Sequence, residues 1–294
     1  MQVTKVCRNF LLGGSEVHKK VPYIAWDNIC IPKRNGGLGV KNIGLWNMAC
    51  IAKLVWDIAN KKDTLWVQWI HGRYIKDRGW WEYSIRSDAS WYWKKLLKVR
   101  DRFRTYPKAD YKIHEGYAWL LNVPHNPKWT NITWTRINIP RHSLTVWMFM
   151  HQRLPVLERL GKHMQLPTVE GSMCHLSSET QDHLFFECSY ANNIWEKLLN
   201  DWHVDIQRTG LEDFVISLTK LKMPRRLRAL FYAMTNAVIY NIWLARNRKL
   251  YCNKNYSADE VLKDIKRQII LRVLHLNQYR QKYTSCLNFL LHKL

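Results

Sequence analysis

The sequence predicts a mainly α fold, in which helices are joined by short irregular or β segments and one small irregular insert interrupts the helical pattern. Apolar residues recur at helical spacing over much of the chain. They make up 47% of the residues, which excludes an intrinsically disordered protein. Only 12 Gly and 9 Pro occur, which excludes collagen and low-complexity fibres.

The N-terminal part begins irregularly and then becomes helical. Residues 1–41 show no helical period, and the segment 32–39 is rich in turn-forming residues. The pattern predicts a helix over Ile43–Ala59, where apolar residues tend to one side. Asp63 is predicted to cap a second helix through Leu65–Ile70.

A third helix is expected after Ser87 or Ser90, either of which could cap it. Trp93 and the apolar residues that follow it share one face, so a core role is the simplest interpretation of that tryptophan. Residues 105–139 contain several Pro and Asn and are interpreted as loops with short strands, such as Asn131–Ile139.

The later half is more clearly helical. A Ser-x-x-Glu capping box, Ser257 to Glu260, opens a last helix. The irregular insert lies between Thr168 and Ser189. The other predicted helices are Arg141–Leu154, Ala191–Trp202, Leu211–Leu221, and one that begins at Pro224 and runs to about Tyr251.

The longest uncharged run, Ala229–Ala245, is interpreted as a buried helix and not as a membrane span. It has the minimum length for a span, but it contains Thr235, Asn236 and Asn241. No signal peptide is visible, and the seven cysteines have no regular spacing. We therefore expect an intracellular protein, nuclear or cytoplasmic, in a reducing compartment.

Positive charge is concentrated at both ends of the chain. The formal net charge is +23. Residues 1–110 hold 21 basic and 9 acidic residues, residues 111–200 hold 8 and 7, and residues 201–294 hold 17 and 7. This pattern favours nucleic acid or an acidic membrane surface as the partner, and acidic substrates less strongly. Of these we expect RNA or single-stranded DNA and no membrane. The candidate contacts are Lys33, Arg34, Lys94, Lys95, Arg225, Arg226, Arg228, Arg246 and Arg248.

The sequence offers no recognisable catalytic constellation. It contains no Asp-Asp pair, no Gly-x-Ser-x-Gly motif and no Walker loop. The glycine-rich run 36–39 lacks the following Lys-Ser/Thr of a phosphate loop, so a structural turn is the preferred interpretation. We expect neither an enzyme nor a small-molecule substrate. The oligomeric state is not predicted.

Metal-ligand chemistry is confined to the insert. Cys174, His183 and Cys188 offer two thiolates and an imidazole at short spacing, as tetrahedral zinc requires. A closed structural site needs four ligands, and the adjacent His175 is a cramped fourth. On these residues alone, zinc binding and a packed, metal-free loop both remain open.

Several segments together resemble plant non-LTR (LINE-type) retrotransposon reverse transcriptases. Trp26–Gly39, followed by Asn47, Ala49, Lys53 and Trp56, is similar to the stretch just after their polymerase domain. The likeness covers roughly residues 8–250. It implies a basic connection region over 1–110, a zinc-binding domain over 111–200 and a basic helical region over 201–294.

The resemblance implies a knuckle of the form Cys-x-x-Cys, a spacer, His and a final Cys. Glu179-Thr180, the run 182–185 and Cys188 match that domain, whereas Ser177 stands where the second Cys is usual. We therefore expect a non-catalytic nucleic-acid-binding fragment without the polymerase palm and ribonuclease H. The alternative is an inactive structural or protein-interaction remnant.

Overall fold

The described part of the chain is mainly helical, as predicted. A computed structural model describes residues 6–7, 23–85, 87–123, 126–166, 168–280 and 283–292. Among these residues, β structure consists of one bridge between Glu170 and Ser178. The chain divides into two compact units, Met1–His125 and Asn126–Leu294. Each unit has its own hydrophobic core.

Five α-helices of the first unit lie wholly within its described residues. A 3₁₀ turn, Lys33–Asn35, follows the first helix, and a π turn, His71–Ile75, continues the third. The helices are α1 (Trp26–Cys30), α2 (Ile43–Ala59), α3 (Leu65–Ile70), α4 (Trp91–Phe103) and α5 (Ile113–Leu121).

The core of the first unit is largely aromatic. Trp56 of α2 stacks on Tyr111 at 5.1 Å between ring centroids and meets Phe103 of α4 edge to face at 6.3 Å. The Trp56 indole donates a hydrogen bond to the Ala109 carbonyl at 2.7 Å. Buried aromatic pairs add directional contacts to the hydrophobic effect, so these rings stabilise the first unit.

The glycine-rich segment after α1 is a structural turn, as predicted. The backbone N–H groups of Leu38 and Gly39 donate to the carbonyls of Ile29 and Ile31 at 3.0 and 2.9 Å. A Cβ on Gly37 would lie 1.9 Å from the Ile31 oxygen, so only glycine allows this close approach. Because these amides are used internally, they are not presented to a phosphate group.

The second unit contains eight α-helices among its described residues. A π turn, His183–Glu187, precedes the fourth of them. The helices are α6 (Thr130–Thr133), α7 (Pro140–Met150), α8 (Leu157–Gly161), α9 (Ser189–Trp202), α10 (Leu211–Lys220), α11 (Arg225–Cys252), α12 (Ala258–Arg280) and α13 (Thr284–His292).

Helix α11 lies at the centre of the second unit and packs against α6, α7 and α12. Its middle is buried on all sides, as an apolar helix within a protein core should be. The polar residues there form hydrogen bonds: Asn236 donates to the Ile132 carbonyl at 2.9 Å, and Asn241 donates to the Ala237 carbonyl at 2.7 Å. None of the described helices is both long and apolar enough to cross a bilayer.

Two predicted caps are present. Ser90 Oγ accepts a hydrogen bond from the Trp93 amide at 3.3 Å, which identifies Ser90 and not Ser87 as the cap of α4. Ser257 Oγ accepts from the Glu260 amide at 3.2 Å, while Glu260 accepts from the Ser257 amide at 2.7 Å. This reciprocal pair is a capping box.

Two local predictions are wrong. Thr64, and not Asp63, caps α3, because its hydroxyl accepts from the Val67 amide while the Asp63 carboxylate bonds the Gln68 side chain. The segment 131–139 is not a strand. It begins within the short helix α6 and continues as turns, and α6 packs against α11 instead of pairing with another strand.

Candidate metal centre and basic residues

A tight loop positions the first part of the candidate metal centre. The Gly171 amide donates to the Ser177 carbonyl at 2.8 Å, and the His175 amide donates to the Gly171 carbonyl at the same distance. The Glu179 amide then bonds the Val169 carbonyl at 2.8 Å. These bonds fold residues 169–179 back on themselves and turn Cys174 toward the second unit's core, against which it packs.

A π turn positions the second part. The Cys188 amide donates to the His183 carbonyl at 2.8 Å, across five residues, which brings the two side chains to the same side of the chain. The His183 amide is held by Thr180 Oγ1 at 3.0 Å. Single π turns are frequent at functional sites, and here the turn makes the spacing of His183 and Cys188 compatible with one ion.

The three predicted ligands come together. The Cys174 Sγ and His183 Nε2 atoms are 3.1 Å apart, and the ligand atoms of Cys174, His183 and Cys188 all lie within 4.8 Å of one another. Zinc bonds of about 2.0–2.3 Å in a tetrahedron place ligand atoms about 3.3–3.8 Å apart. Two thiols and one imidazole at this separation therefore fit three of the four positions around zinc.

Ser177 lies beside the fourth position. Its Oγ atom is 2.9 Å from Nδ1 and 3.2 Å from Nε2 of His183. His175 is exposed, has a left-handed backbone (φ 56°) and lies outside the cluster. Ser177 thus contacts the ligand set with a hydroxyl, which is a much poorer zinc ligand than a thiolate.

Burial raises the pKa of the Cys188 thiol, and the nearby Cys174 adds to this effect. The amides of Tyr190 and Ala191, at the start of α9, lower that pKa and so partly offset the burial. Without a metal, the neutral thiol is favoured. A zinc ion bound here would have to displace that proton, which couples metal affinity to pH.

A buried ion pair, which the sequence did not reveal, lies next to the cluster. Glu179 and Arg246 are both fully buried and form a bidentate salt bridge. Glu179 Oε1 also accepts from the Leu157 amide at 3.0 Å, and the Arg246 guanidinium lies 4.8 Å from the Trp243 ring centroid. This salt bridge attaches the loop 169–179, which contains Cys174, to helices α8 and α11.

Most of the nine predicted nucleic-acid contacts reach the surface. Lys33, Arg34, Lys95, Arg225 and Arg226 are exposed, and Lys94, Arg228 and Arg248 are half-buried. Arg246 differs, because it is fully buried and paired with Glu179. Its guanidinium is therefore not available to a phosphate, and its role is internal.

One family model and two plant proteins match parts of the chain. The model of the family described as zinc-binding in reverse transcriptase matches residues 111–195. A protein of Arabidopsis thaliana provisionally named a ribonuclease H protein is 32% identical over 98 residues, 30% of this chain and 16% of that protein. An uncharacterized mitochondrial protein of the same plant is 27% identical over 101 residues, 34% of this chain and 66% of that protein.

No solved structure matches the chain significantly. The aligned part spans less than two thirds of each of these plant proteins. The family match nevertheless includes Cys174, His183 and Cys188, the residues that the structure brings together. The resemblance to retrotransposon reverse transcriptases is confirmed, and residues 111–195 match the model of the reverse transcriptase zinc-binding family.

Proposed function

We propose that the chain is a non-catalytic nucleic-acid-binding module derived from a retrotransposon reverse transcriptase, with RNA or single-stranded DNA as its partner. The family match over residues 111–195 supports this proposal, since a reverse transcriptase works on such strands. We further propose that the chain acts inside the cell, nuclear or cytoplasmic. Its seven cysteines are unpaired, which suits a reducing compartment.

The observation that carries the proposal is the surface position of the positive charge. Residues 1–125 contain 22 basic and 10 acidic residues, and residues 126–294 contain 24 and 13, so both compact units are basic. Arg225 and Arg226 are exposed at the start of α11, whose first turn contains no acidic residue. Exposed, unneutralised cations are what a polyanion binds.

Zinc is proposed to have a structural role in this module. Cys174, His183 and Cys188 would hold the ion, and Ser177 or a non-protein ligand would stand at the fourth position. Bound zinc would supply a cross-link between the loop 169–179 and the π turn. Because three protein ligands bind more weakly than four, we expect weak or substoichiometric binding.

The two pairs of adjacent carboxylates, Glu212-Asp213 and Asp259-Glu260, have structural roles, which supports the non-catalytic part of the proposal. Glu212 and Asp213 lie in the first turn of α10, where negative charge suits the helix dipole. Asp259 bonds Lys197, and Glu260 completes the capping box of α12. Among the described residues, the cluster that could hold a metal contains no carboxylate, whereas polymerases hold Mg²⁺ with two or three.

The test is a titration of the full chain with single-stranded RNA and DNA at two salt concentrations. Binding should weaken with salt by a log–log slope of about −0.7 per phosphate contacted. Replacing Arg225, Arg226 and Arg228 by Ala should flatten that slope. The matched control replaces Lys162 and Lys197 by Ala, since these cations are already paired with Glu158 and Asp259.

An affinity that does not respond to salt would contradict the proposal. Primer extension or cleavage of an RNA–DNA hybrid that is lost on substituting one carboxylate would contradict its non-catalytic part. The alternative function is a structural or protein-interaction remnant. The observation in favour of this alternative is Ser177, which leaves the set of zinc ligands incomplete. The alternative predicts that the chain binds neither RNA nor single-stranded DNA.

A further inference from the structure

The start of α4 exposes two aromatic side chains. Trp91 is 64% exposed and Tyr92 is 81% exposed, and their rings meet edge to face at 5.0 Å. The next residue, Trp93, is buried and stacks on Tyr74 at 4.7 Å. Of three successive aromatic residues, one anchors the helix in the core and two project into solvent. Two adjacent large rings in water are unusual unless they have a partner.

Three exposed cations continue from this aromatic pair along one face of the helix. Lys95, Lys98 and Arg102 follow Trp91 at intervals of four, three and four residues, which places them on the same side. At 1.5 Å per residue, the stretch from Trp91 to Arg102 is about 16 Å long. We call the set of Trp91, Tyr92, Lys95, Lys98 and Arg102 the α4 stripe.

The cations of the α4 stripe are exposed and are not neutralised by neighbouring carboxylates of the described residues. The Lys95 Nζ atom lies 4.9 Å from the Trp91 ring centroid, so charge and ring are adjacent. In the part of the chain that the structure describes, no carboxylate forms an ion pair with Lys95, Lys98 or Arg102. Nearby carboxylates pair elsewhere, Asp101 with Arg100 and Glu82 with Arg104.

We propose that the α4 stripe binds an unpaired nucleic-acid strand. Trp91 and Tyr92 would stack on the faces of bases, and Lys95, Lys98 and Arg102 would pair with successive phosphates. The positive charge of the α4 stripe favours a polyanion over an apolar protein surface. The exposed rings favour unpaired bases, because the faces of bases are inaccessible within a duplex. This inference rests on the proposed function and adds a location and a strand preference to it.

The experiment compares two strands of equal length and charge, oligothymidylate and an abasic strand, by fluorescence anisotropy with the full chain. The unmodified protein should bind oligothymidylate at least about tenfold more tightly, since stacking on even one of the two aromatic residues contributes that much. The double variant Trp91→Ala/Tyr92→Ala should lose the preference and keep its salt dependence. Oligouridylate should give the same result, because stacking does not use the 2′-hydroxyl.

Two further variants separate the two kinds of contact. Trp91→Phe/Tyr92→Phe keeps aromatic faces and should keep most of the preference, which also guards against a folding artefact in the alanine variant. Lys95→Gln/Lys98→Gln/Arg102→Gln should keep the preference but flatten the log–log salt slope by about 2. The control is Trp66→Ala, an exposed tryptophan of α3 in the same unit, which should change neither quantity.

The outcomes distinguish this inference from the proposed function. Salt-dependent binding with equal affinity for both strands would overturn the α4 stripe as a stacking site and leave the proposed function standing. Absence of salt-dependent binding to either strand would overturn the proposed function itself. If the aromatic pair serves a protein partner instead, the alanine variant will bind both strands as the unmodified chain does, which also overturns the inference.

Discussion

At the scale of single residues, the identity of residue 177 decides how well the candidate metal centre holds zinc. Ser177 Oγ lies 3.2 Å from His183 Nε2, beside the three ligand atoms. Ser177→Cys should therefore complete a Cys₃His set and strengthen zinc binding by at least about tenfold, since the loss of even an outer-shell partner costs that much. The measurement is zinc content after purification without chelator, followed by competition with a chromogenic chelator.

The matched control for this prediction is His175→Asn. His175 is exposed and outside the cluster, and asparagine tolerates its left-handed backbone. We expect this variant to leave zinc content unchanged. Stoichiometric zinc in the unmodified chain, with unfolding on chelation, would show that three ligands suffice or that the fourth comes from elsewhere.

The burial of a second residue, His142, predicts how the free energy of unfolding depends on pH. His142 is fully buried, stacks on Tyr240 at 4.3 Å between ring centroids, and has a pKa lowered from 6.5 to about 4 by burial, with a further contribution from Arg141. As pH falls, His142 is therefore protonated at a higher pH in the unfolded chain than in the folded one. The stability due to neutral His142 is therefore fully present above pH 6.5 and is lost as pH falls toward 4.

The expected loss is up to about 3 kcal/mol in the free energy of unfolding. Urea titrations between pH 7 and pH 4 measure it. His142→Phe, which keeps an aromatic ring against Tyr240, should flatten the pH dependence in this window. The same substitution at the exposed His163 should leave it unchanged. An unaltered slope in His142→Phe would mean that other groups carry the effect.

The candidate metal centre was largely predictable from sequence, because its ligands depend on local spacing. Cys174, His183 and Cys188 lie within fifteen residues, and one loop and one π turn bring them together. The role of Arg246 was not predictable in this way. Its partner, Glu179, is 67 residues away, so only the tertiary packing of α11 reveals that this arginine is internal.

At the scale of elements, the salt bridge between Glu179 and Arg246 connects the loop 169–179 with helices α8 and α11. Both side chains are fully buried, so Glu179→Gln would leave the guanidinium without its counter-charge. We expect the free energy of unfolding to fall by about 3–5 kcal/mol, measured by urea titration. Glu158→Gln, at an exposed pair with Lys162, should cost less than about 1 kcal/mol.

A compensating double variant sharpens this prediction. Glu179→Leu combined with Arg246→Met removes both charges and should recover much of the lost stability, because the cost comes mainly from the unpaired buried charge. If Glu179→Gln and Glu158→Gln cost the same, the buried pair contributes no more than a surface pair, and the loop 169–179 is held by its other contacts.

Helices with strong local signals were predicted well, and those that depend on tertiary packing were not. Ser90 and Ser257 mark true helix starts, because capping is a local interaction. Helix α5 was missed, since prolines on either side suggested a loop, yet it packs on α2 through partly buried aromatic residues. The prolines of this region also led to the incorrect prediction of a strand over 131–139.

At the scale of the whole molecule, the family match and the compact units have different boundaries. The match covers residues 111–195, whereas the sequence boundary between the units falls after residue 125. Tyr111 belongs to the first core, because it stacks on Trp56 and donates to the Ala49 carbonyl at 2.7 Å. The predicted division at residues 110 and 200 follows charge and resemblance, and it stays a prediction about sequence organisation.

These boundaries predict which fragment folds. Residues 126–294 contain every member of the second core, including α11 and both residues of the buried ion pair. Expressed alone, this fragment should be helical by circular dichroism and should melt cooperatively, because a unit with its own core can fold independently. Residues 111–195 should do neither, since that segment lacks α11 and leaves Glu179 without Arg246. A cooperative melt of residues 111–195, with or without zinc, would contradict this reasoning and would show that the loop, the π turn and the short helices around them form a sufficient core.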